Sequence, residues 1–370
     1  MAEYLTNTTD LTKVASAIRE KGGTSDLLVY PDGFVTAIQA IQAGTELKII
    51  VTVTSGATVT ATKGSKVVSG TSINGTCTLV VPEEGEWTVN ATLGGKTSDS
   101  NIVNVVSSYD TVLAFATLND NSWETIRRVS DAGRGANYWS IGDRKAVTLN
   151  GTVGHLTLSN YTTYAFIIGF NHNQELEGAN RIHFQFAKTA ISGGKDVALC
   201  DSSYGITRDG FRMNTSSSNS GGWASSNMRT AICGTSLSSY SGTIIAVIPA
   251  SLRAVLKSVT KYTNNKGYSS DASAVTATTD YFFLLSEFEV FGSISKGNTN
   301  EKNKQAQYAY YSAGNSKIKY KHNGTSTAAV WWLRSPAASN TFNFVRVYED
   351  GKVNSGGAFY SYGFAPGFCV

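Results

Sequence analysis

Charge is scarce in this chain. Asp, Glu, Lys and Arg make up 16% of its 370 residues, against roughly a quarter in ordinary soluble domains. The net charge of +4 is spread thinly, with no run of Lys or Arg and no basic helix. That argues against a nucleic-acid partner. Cysteine is equally sparse. Cys77, Cys200, Cys233 and Cys369 lie far apart without a Cys-x-x-Cys, and the four histidines form no His-x-x-x-His pair. A zinc ribbon, a zincin helix and a small disulfide scaffold are excluded on this count. Free buried thiols are the preferred state of the cysteines, with a Cys200–Cys233 bridge as the alternative. No run approaches the ~18 consecutive apolar residues of a membrane span, so no membrane insertion is expected. Met1 to Arg19 is polar and lacks the apolar core of a secretory signal. The expectation is a protein made in a cytoplasm that reaches the outside, if it does, without a secretion signal.

What is present is enough for real cores: 41% of residues are apolar and 11% aromatic. The polar remainder is mostly Ser, Thr, Asn and Gly, which favours turns and exposed strand surfaces over helices. The length suggests two or three domains, and the chain divides into three stretches of different character.

Residues 1–44 are the helical stretch. Thr9 or Asp10 can cap a helix through Leu11, Val14, Ala15, Ile18 and Arg19, ended by Gly22-Gly23. Leu27 to Pro31 reads as an extended connector. Asp32 can cap a second helix through Phe34, Val35, Ile38 and Ile41. Two short amphipathic helices need something to cover their apolar faces. A trimeric or dimeric collar is the favoured reading, and a hairpin folded onto the next domain is the other.

Residues 45–107 alternate with period two. Leu47, Ile49, Val51 and Val53 are followed by Val59 and Ala61, Thr78 and Val80, Trp87, Val89, Ala91 and Leu93, then Ile102, Val103 and Val105. Turns are supplied by Ser55-Gly56, Lys63-Gly64, Asn74-Gly75, Glu84-Gly85 and Gly94-Gly95. This pattern predicts a small antiparallel β-sandwich acting as a spacer.

Residues 108–370 read as one larger α+β domain. Strands are predicted at Thr111–Ala116, Ala146–Leu149, Tyr164–Phe170 and Ile182–Phe186, and helices at Ser225–Ile232 and Leu252–Thr260. Long loops rich in Gly, Ser and Asn connect them, and such loops often carry function. The fold class is therefore mainly β, with short N-terminal helices and an α+β C-terminal domain.

Six blocks of this last stretch, in order, carry a resemblance. They are Trp123-Glu124-Thr125-Ile126, Trp139-Ser140-Ile141-Gly142-Asp143, the run from Gly222 to Arg229 with Trp223, the run from Phe282 to Gly292, Trp331-Trp332-Leu333-Arg334-Ser335-Pro336, and Ala365 to Val370. Together they resemble a family with the C-type lectin fold found in bacterial and phage proteins, and they cover about two thirds of the chain. The first helices resemble attachment segments of tail proteins in phages of Gram-positive hosts, and the middle module resembles their Ig-like spacers. The resemblance implies a homotrimeric receptor-binding protein of a phage tail, carried on the virion and joined to tail or baseplate proteins through its N-terminus. It also implies kinship with variable proteins diversified by retroelements, with a variable region at about 336–366. The implied partner is a bacterial cell-surface receptor, a protein rather than a glycan.

The residues after Pro336 support a binding surface on their own. Phe344, Val345, Val347 and Val353 can anchor short strands. Between them lie Ala338, Asn340, Thr341, Asn343, Arg346, Tyr348, Glu349, Asp350, Lys352, Asn354, Ser355, Phe359, Tyr360, Ser361 and Tyr362. Tyr, Ser, Gly and Asn with an occasional charge are the chemistry of an antibody paratope: rigid aromatic area with few rotors, plus adaptable hydrogen bonding. The turns Asp350-Gly351 and Gly356-Gly357 are expected to project these loops. Trp223, Arg229, Trp331, Trp332 and Arg334 are expected to be scaffold, with Arg334 on a buried carboxylate or carbonyl and Arg229 in an internal salt link.

Two other function classes are weighed. An enzyme of the formylglycine-generating type would need a close cysteine pair for copper. Cys200, Cys233 and Cys369 offer none, and His155, His172, His183 and His322 stand in no recognisable motif. A calcium-dependent lectin would need converging oxygen ligands. Glu349 and Asp350 are adjacent, but no Glu-Pro-Asn or Trp-Asn-Asp motif occurs. A bacterial surface adhesin of the same fold is the remaining alternative. The expectation is a binding protein with no catalytic residues, no cofactor and no metal.

Overall fold

The structure, a computed structural model, describes residues 8–22, 27–40 and 46–370. It is mainly β, with 36% strand and 22% helix. The first helix, Thr8–Gly22, and the second, Asp32–Ala40, pack on each other through Ala15, Ile18 and Phe34, with Leu28 and Ala37 beside them. Ile41, expected in the second helix, lies outside the described residues. Val14, Val35 and Ile38 remain exposed.

The middle module is a sandwich of two sheets around one core. The strand Lys48–Thr52 sits between Thr76–Val80 and Ser108–Val112. The facing sheet runs Lys66–Thr71, Thr58–Lys63, Gly85–Leu93, with Asn101–Val105 and Lys96–Thr97 also paired to Gly85–Leu93. Trp87 is fully buried at its centre among Ile49, Val51, Val59, Val89 and Val103. Asn74 and Gly75 both take positive φ, as a tight two-residue turn between the paired Ile73 and Thr76 requires.

Three details of this module depart from the sequence reading. The phase in Thr76–Val80 is the opposite one: Cys77, Leu79 and Val81 are buried, while Thr78 and Val80 face outward. Ile102 is likewise exposed, and its neighbours Val103 and Val105 fill the core. The sandwich is not wholly antiparallel, because Ser108–Val112 pairs parallel to Lys48–Thr52. The chain crosses from one sheet to the other after Val105 and returns along its own first strand. The module therefore extends past residue 107, and Leu113 and Phe115 belong to its core.

The two modules are stitched together by side chains. The Thr54 hydroxyl donates to the Asp120 carbonyl and accepts from the Ser122 amide. The Tyr138 hydroxyl donates to Asp99 at 2.6 Å.

The large domain is built on an antiparallel sheet in the order Phe282–Phe283, Gly367–Cys369, Ile182–Lys188, Leu156–Phe170, Arg144–Val153. Its apolar face holds Phe184, Phe186, Phe282 and Phe368, with ring centroids 5.2 to 6.1 Å apart. The chain end is thus locked into the middle of the sheet. A second sheet of Trp331–Pro336, Asn343–Val347 and Val353–Gly357 carries the C-terminal segment.

Both predicted helices here are interrupted. A short helix Gly222–Ser225 stops at Ser226, whose hydroxyl donates to the Trp223 carbonyl and accepts from the Arg229 amide, and a π-helical turn follows at Met228–Cys233. The second helix covers only Ala250–Arg253. Val259 already opens the strand Val259–Asn264, because the Lys257 amide donates to the Cys369 carbonyl and ties the chain to the terminal strand. Leu252, Val255, Leu256 and Val259 are all buried, so the apolar spacing reported burial and mistook its geometry.

Candidate functional site

The foundation of the C-terminal segment is a buried ion network. Trp331–Pro336 is buried over its whole length. Trp331 and Trp332 point to opposite faces, as adjacent strand residues must, and both indoles are covered and donate, to the Lys317 and Phe211 carbonyls. Arg334 is fully buried. Its Nη1 and Nη2 donate to the two carboxylate oxygens of Glu289, and its Nε donates to the Thr263 hydroxyl at 2.8 Å. Lys261 bridges Glu289 at 2.9 Å and Glu177 at 2.6 Å. Two buried carboxylates thus face two buried cations, which burial tolerates only when every charge is paired. Burial alone would raise the Glu289 carboxyl, but Arg334 and Lys261 hold it well below the ordinary range. Burial prevails at Glu177 and pushes it up to about 7. Trp223 and Arg229 share another buried carboxylate, Asp280, at 3.0 and 2.6 Å.

Two features of this interior invite chemical readings. His172, Glu177 and Glu289 bring ligand atoms within 4.8 Å of one another. The Lys261 ammonium already bonds both carboxylates there, so a divalent cation would meet a site whose negative charge is matched. Cys369 Sγ lies 3.3 Å from His183 Nδ1, a pairing the sequence reading did not make. Both are fully buried, and burial raises the thiol to about 12, so no thiolate is poised there. All four cysteines are free and buried, and Cys200 and Cys233 are not bridged.

On this base stands the C-terminal surface. None of Ala338, Asn340, Thr341, Asn343, Arg346, Tyr348, Glu349, Asp350, Lys352, Asn354, Ser355, Phe359, Tyr360 and Tyr362 is buried. Most of them fall into three groups: a turn, a strand pair with its hairpin tip, and an aromatic ladder. Asn340 and Thr341 form a turn whose carbonyls are held by Asn219: its Nδ2 donates to the carbonyls of Ala337, Asn340 and Asn343, and its amide donates to Thr341. The Asn340 side chain is used inside that turn, accepting from the amides of Phe342 and Asn343. Asn343 and Ser355 bond each other across the strand pair. Glu349, Asp350 and Lys352 occupy the exposed hairpin turn, where Asp350 pairs with Lys352 at 2.9 Å.

The third group is an aromatic ladder. Phe359 stacks on Tyr360 at 5.1 Å, and Tyr360 on Tyr362 at 5.8 Å. Tyr362 meets the buried Trp332 edge-on at 5.0 Å, and the Arg346 guanidinium lies 4.7 Å from the Tyr362 ring and 5.5 Å from Tyr348. Two expectations fail locally. Ser361 is fully buried; its hydroxyl accepts from the Phe211 amide and donates to Asp201. Gly356-Gly357 is no turn but the end of the strand Val353–Gly357. A Cβ at Gly356 would stand 3.0 Å from three guanidinium atoms of Arg346, so its place there is to leave room.

The sequence reading missed a second segment of this surface. Residues 204–212 pair with 359–362. The amide of Gly205 donates to Ser361, Ser361 to Ile206 and Tyr362 to Phe211, and Thr207 bridges Tyr360. Tyr204 meets Tyr362 edge-on at 6.0 Å, Arg208 lies 5.7 Å from the Phe359 ring, and Lys321 lies 4.0 Å from the Tyr204 ring. Tyr204 and Gly205, after Ser202 and Ser203, share the Tyr/Ser/Gly composition of the C-terminal segment, which was the available signal.

Comparison with known proteins adds one finding. A family described as "Domain of unknown function (DUF6273)" matches residues 198–370. That span holds the second aromatic segment, Trp331–Pro336 and the whole C-terminal surface, while the strands of residues 144–188, on which the terminal strand closes, lie before it. No curated protein matches the chain.

Proposed function

We propose that this chain is a non-enzymatic binding protein: a receptor-binding protein of a phage tail that presents the surface of residues 338–362 to a protein on a bacterial cell. The supporting observation is the ladder Phe359, Tyr360, Tyr362 and Tyr204, half-exposed on top and braced below by buried Trp332. Rigid aromatic area held at a protein surface is what binding hot spots are made of. A fold that wanted only stability would bury these rings.

The C-type lectin-like character of residues 108–370, diversification of residues 336–366 and assembly as a trimer on the virion belong to the same proposal. Exposed Val14, Val35 and Ile38 on the packed N-terminal helices are consistent with association of chains there. Several copies would multiply weak single-site binding by roughly 10² to 10⁴.

The test is cell binding by the full chain across a panel of Gram-positive bacteria. Replacing Tyr348, Tyr360 and Tyr362 together by Ala is expected to reduce it by more than about a hundredfold. A folded triple variant that binds as well as the parent rejects the reading. A near-copy of the codons for residues 336–366, differing at adenines beside a reverse-transcriptase gene, is the expected genomic sign of diversification.

A further inference from the structure

We propose that the partner brings a carboxylate to this surface, and that Arg346, assisted by Arg208, receives it. The proposal rests on the reading of residues 338–362 as the binding surface and names the chemistry of its ligand.

Most arginines elsewhere in the molecule are already occupied. Arg127, Arg128, Arg134, Arg229 and Arg334 pair with carboxylates. Arg144, Arg181, Arg212 and Arg253 donate to backbone carbonyls. Among the described residues from Arg127 onward, Arg208 and Arg346 have neither kind of acceptor, and both lie on the aromatic ladder. Arg346 bonds the Tyr362 hydroxyl, and its Nε is buried without an acceptor.

Arg346 is also held in place. It stands in register opposite Trp332 on one strand and Asn354 on the other, lies flat over Gly356, and is flanked by the rings of Tyr348 and Tyr362. A guanidinium clamped in this way has already lost its rotamer freedom. It offers a fixed planar fork, which a carboxylate matches with two parallel hydrogen bonds. Closure of the surface by a partner would remove water from it. An unpaired charge is costly there, so a partner with a neutral or basic centre is disfavoured and an acidic one is selected.

The neighbouring charges do not supply that acid. Asp350 is paired with Lys352 and Asp209 with His155. Glu349 forms no ion pair among the described residues and lies on the exposed turn toward Tyr204. Lys321 adds a further cation over the Tyr204 ring.

The experiment uses the full chain on densely immobilised short aromatic peptides, in matched sets that differ only in a central Glu, Gln or Lys. Glu peptides are expected to capture at least about tenfold more protein than their Gln partners, with the preference fading as salt is raised. Arg346→Gln should abolish the preference and Arg208→Gln should reduce it, while Arg346→Lys keeps part of it. Equal capture of Glu and Gln peptides, or no capture of Glu peptides, overturns the acidic-ligand proposal. Retention of the Glu preference by folded Arg346→Gln overturns it as well. Unchanged capture by a folded Tyr360→Ala, Tyr362→Ala variant removes the surface reading itself, and so separates the two failures.

Discussion

Arg334 and Glu289, 45 residues apart in the chain, meet through a two-pronged ion pair in which both side chains are fully buried. The pair sits directly beneath the C-terminal surface, since Arg334 belongs to the strand that neighbours Asn343–Val347. Removing Arg334 leaves the buried Glu289 with Lys261 alone, and removing Glu289 leaves the buried guanidinium without its carboxylate. Arg334→Met or Glu289→Leu alone is expected to cost about 3–5 kcal/mol. The double substitution should cost clearly less than the sum of the two. Urea titrations of the three variants check this, and strict additivity would show that the pair is not coupled.

A second carboxyl in this interior predicts how stability depends on pH. Glu301 is fully buried, and burial raises it from 4.5 to about 7. Its folded value is above its unfolded one. Its stabilising contribution is therefore complete below about pH 4.5 and is lost as pH rises through about 7. Glu301→Gln should remove that loss, and Ser335 and the Asn264 amide can still bond the amide oxygen or nitrogen. The variant is expected to be on the order of 2 kcal/mol more stable than the parent at pH 8, with no advantage at pH 4. Denaturation at the two pH values decides.

Asn219 is the clamp on the turn at residues 337–343. Asn219→Ala would take a donor from three carbonyls, of which that of Asn343 keeps the Ala337 amide, and is expected to cost about 2–3 kcal/mol. It should also loosen the turn locally, so the amides of Phe342 and Asn343 should exchange faster than those of Trp331–Pro336. Uniform protection across both segments would contradict the clamp.

Gly356→Ala tests geometry with little effect on stability. The nearest atoms to the new methyl group belong to the Arg346 guanidinium, a side-chain end that can yield where backbone could not, so the melting temperature should change little. Arg346 must shift from its place between the rings, and capture of Glu peptides should fall by about tenfold. Undiminished capture would mean that the position of the guanidinium does not matter.

Trp87 carries the core of the middle sandwich module. Its side chain fills the sandwich, and its indole donates to the Glu83 carbonyl at 3.1 Å. Trp87→Ala is expected to destabilise that module by about 3–5 kcal/mol. Because the large domain has its own core, the ladder of Phe359, Tyr360 and Tyr362 should keep its binding while the middle module melts earlier, which cell binding below and above that melt would show.

Much of this was legible in the sequence because it is encoded within a few residues. Period-two alternation placed Ile49, Val51, Trp87 and Val89 inside, and Asn74-Gly75 marked its hairpin. Apolar anchors at Phe344, Val345 and Val347, with polar and aromatic residues between them, were enough to name fourteen residues of which none is buried. Composition alone could not settle phase where Cys77, Thr78, Leu79 and Val80 offer two similar faces, nor tell a helix from a turn and a strand at Leu252–Val259.

Only the tertiary structure decided which distant groups meet. The parallel return of Ser108–Val112 along Lys48–Thr52, the seating of Cys369 beside His183, the pairing of Arg334 with Glu289, and the addition of residues 204–212 to the C-terminal surface all join segments far apart in the chain. Local periodicity says whether a side chain faces inward. It carries no record of which partner waits there, because that is set by the packing of whole sheets and by the need to match each buried charge with its opposite.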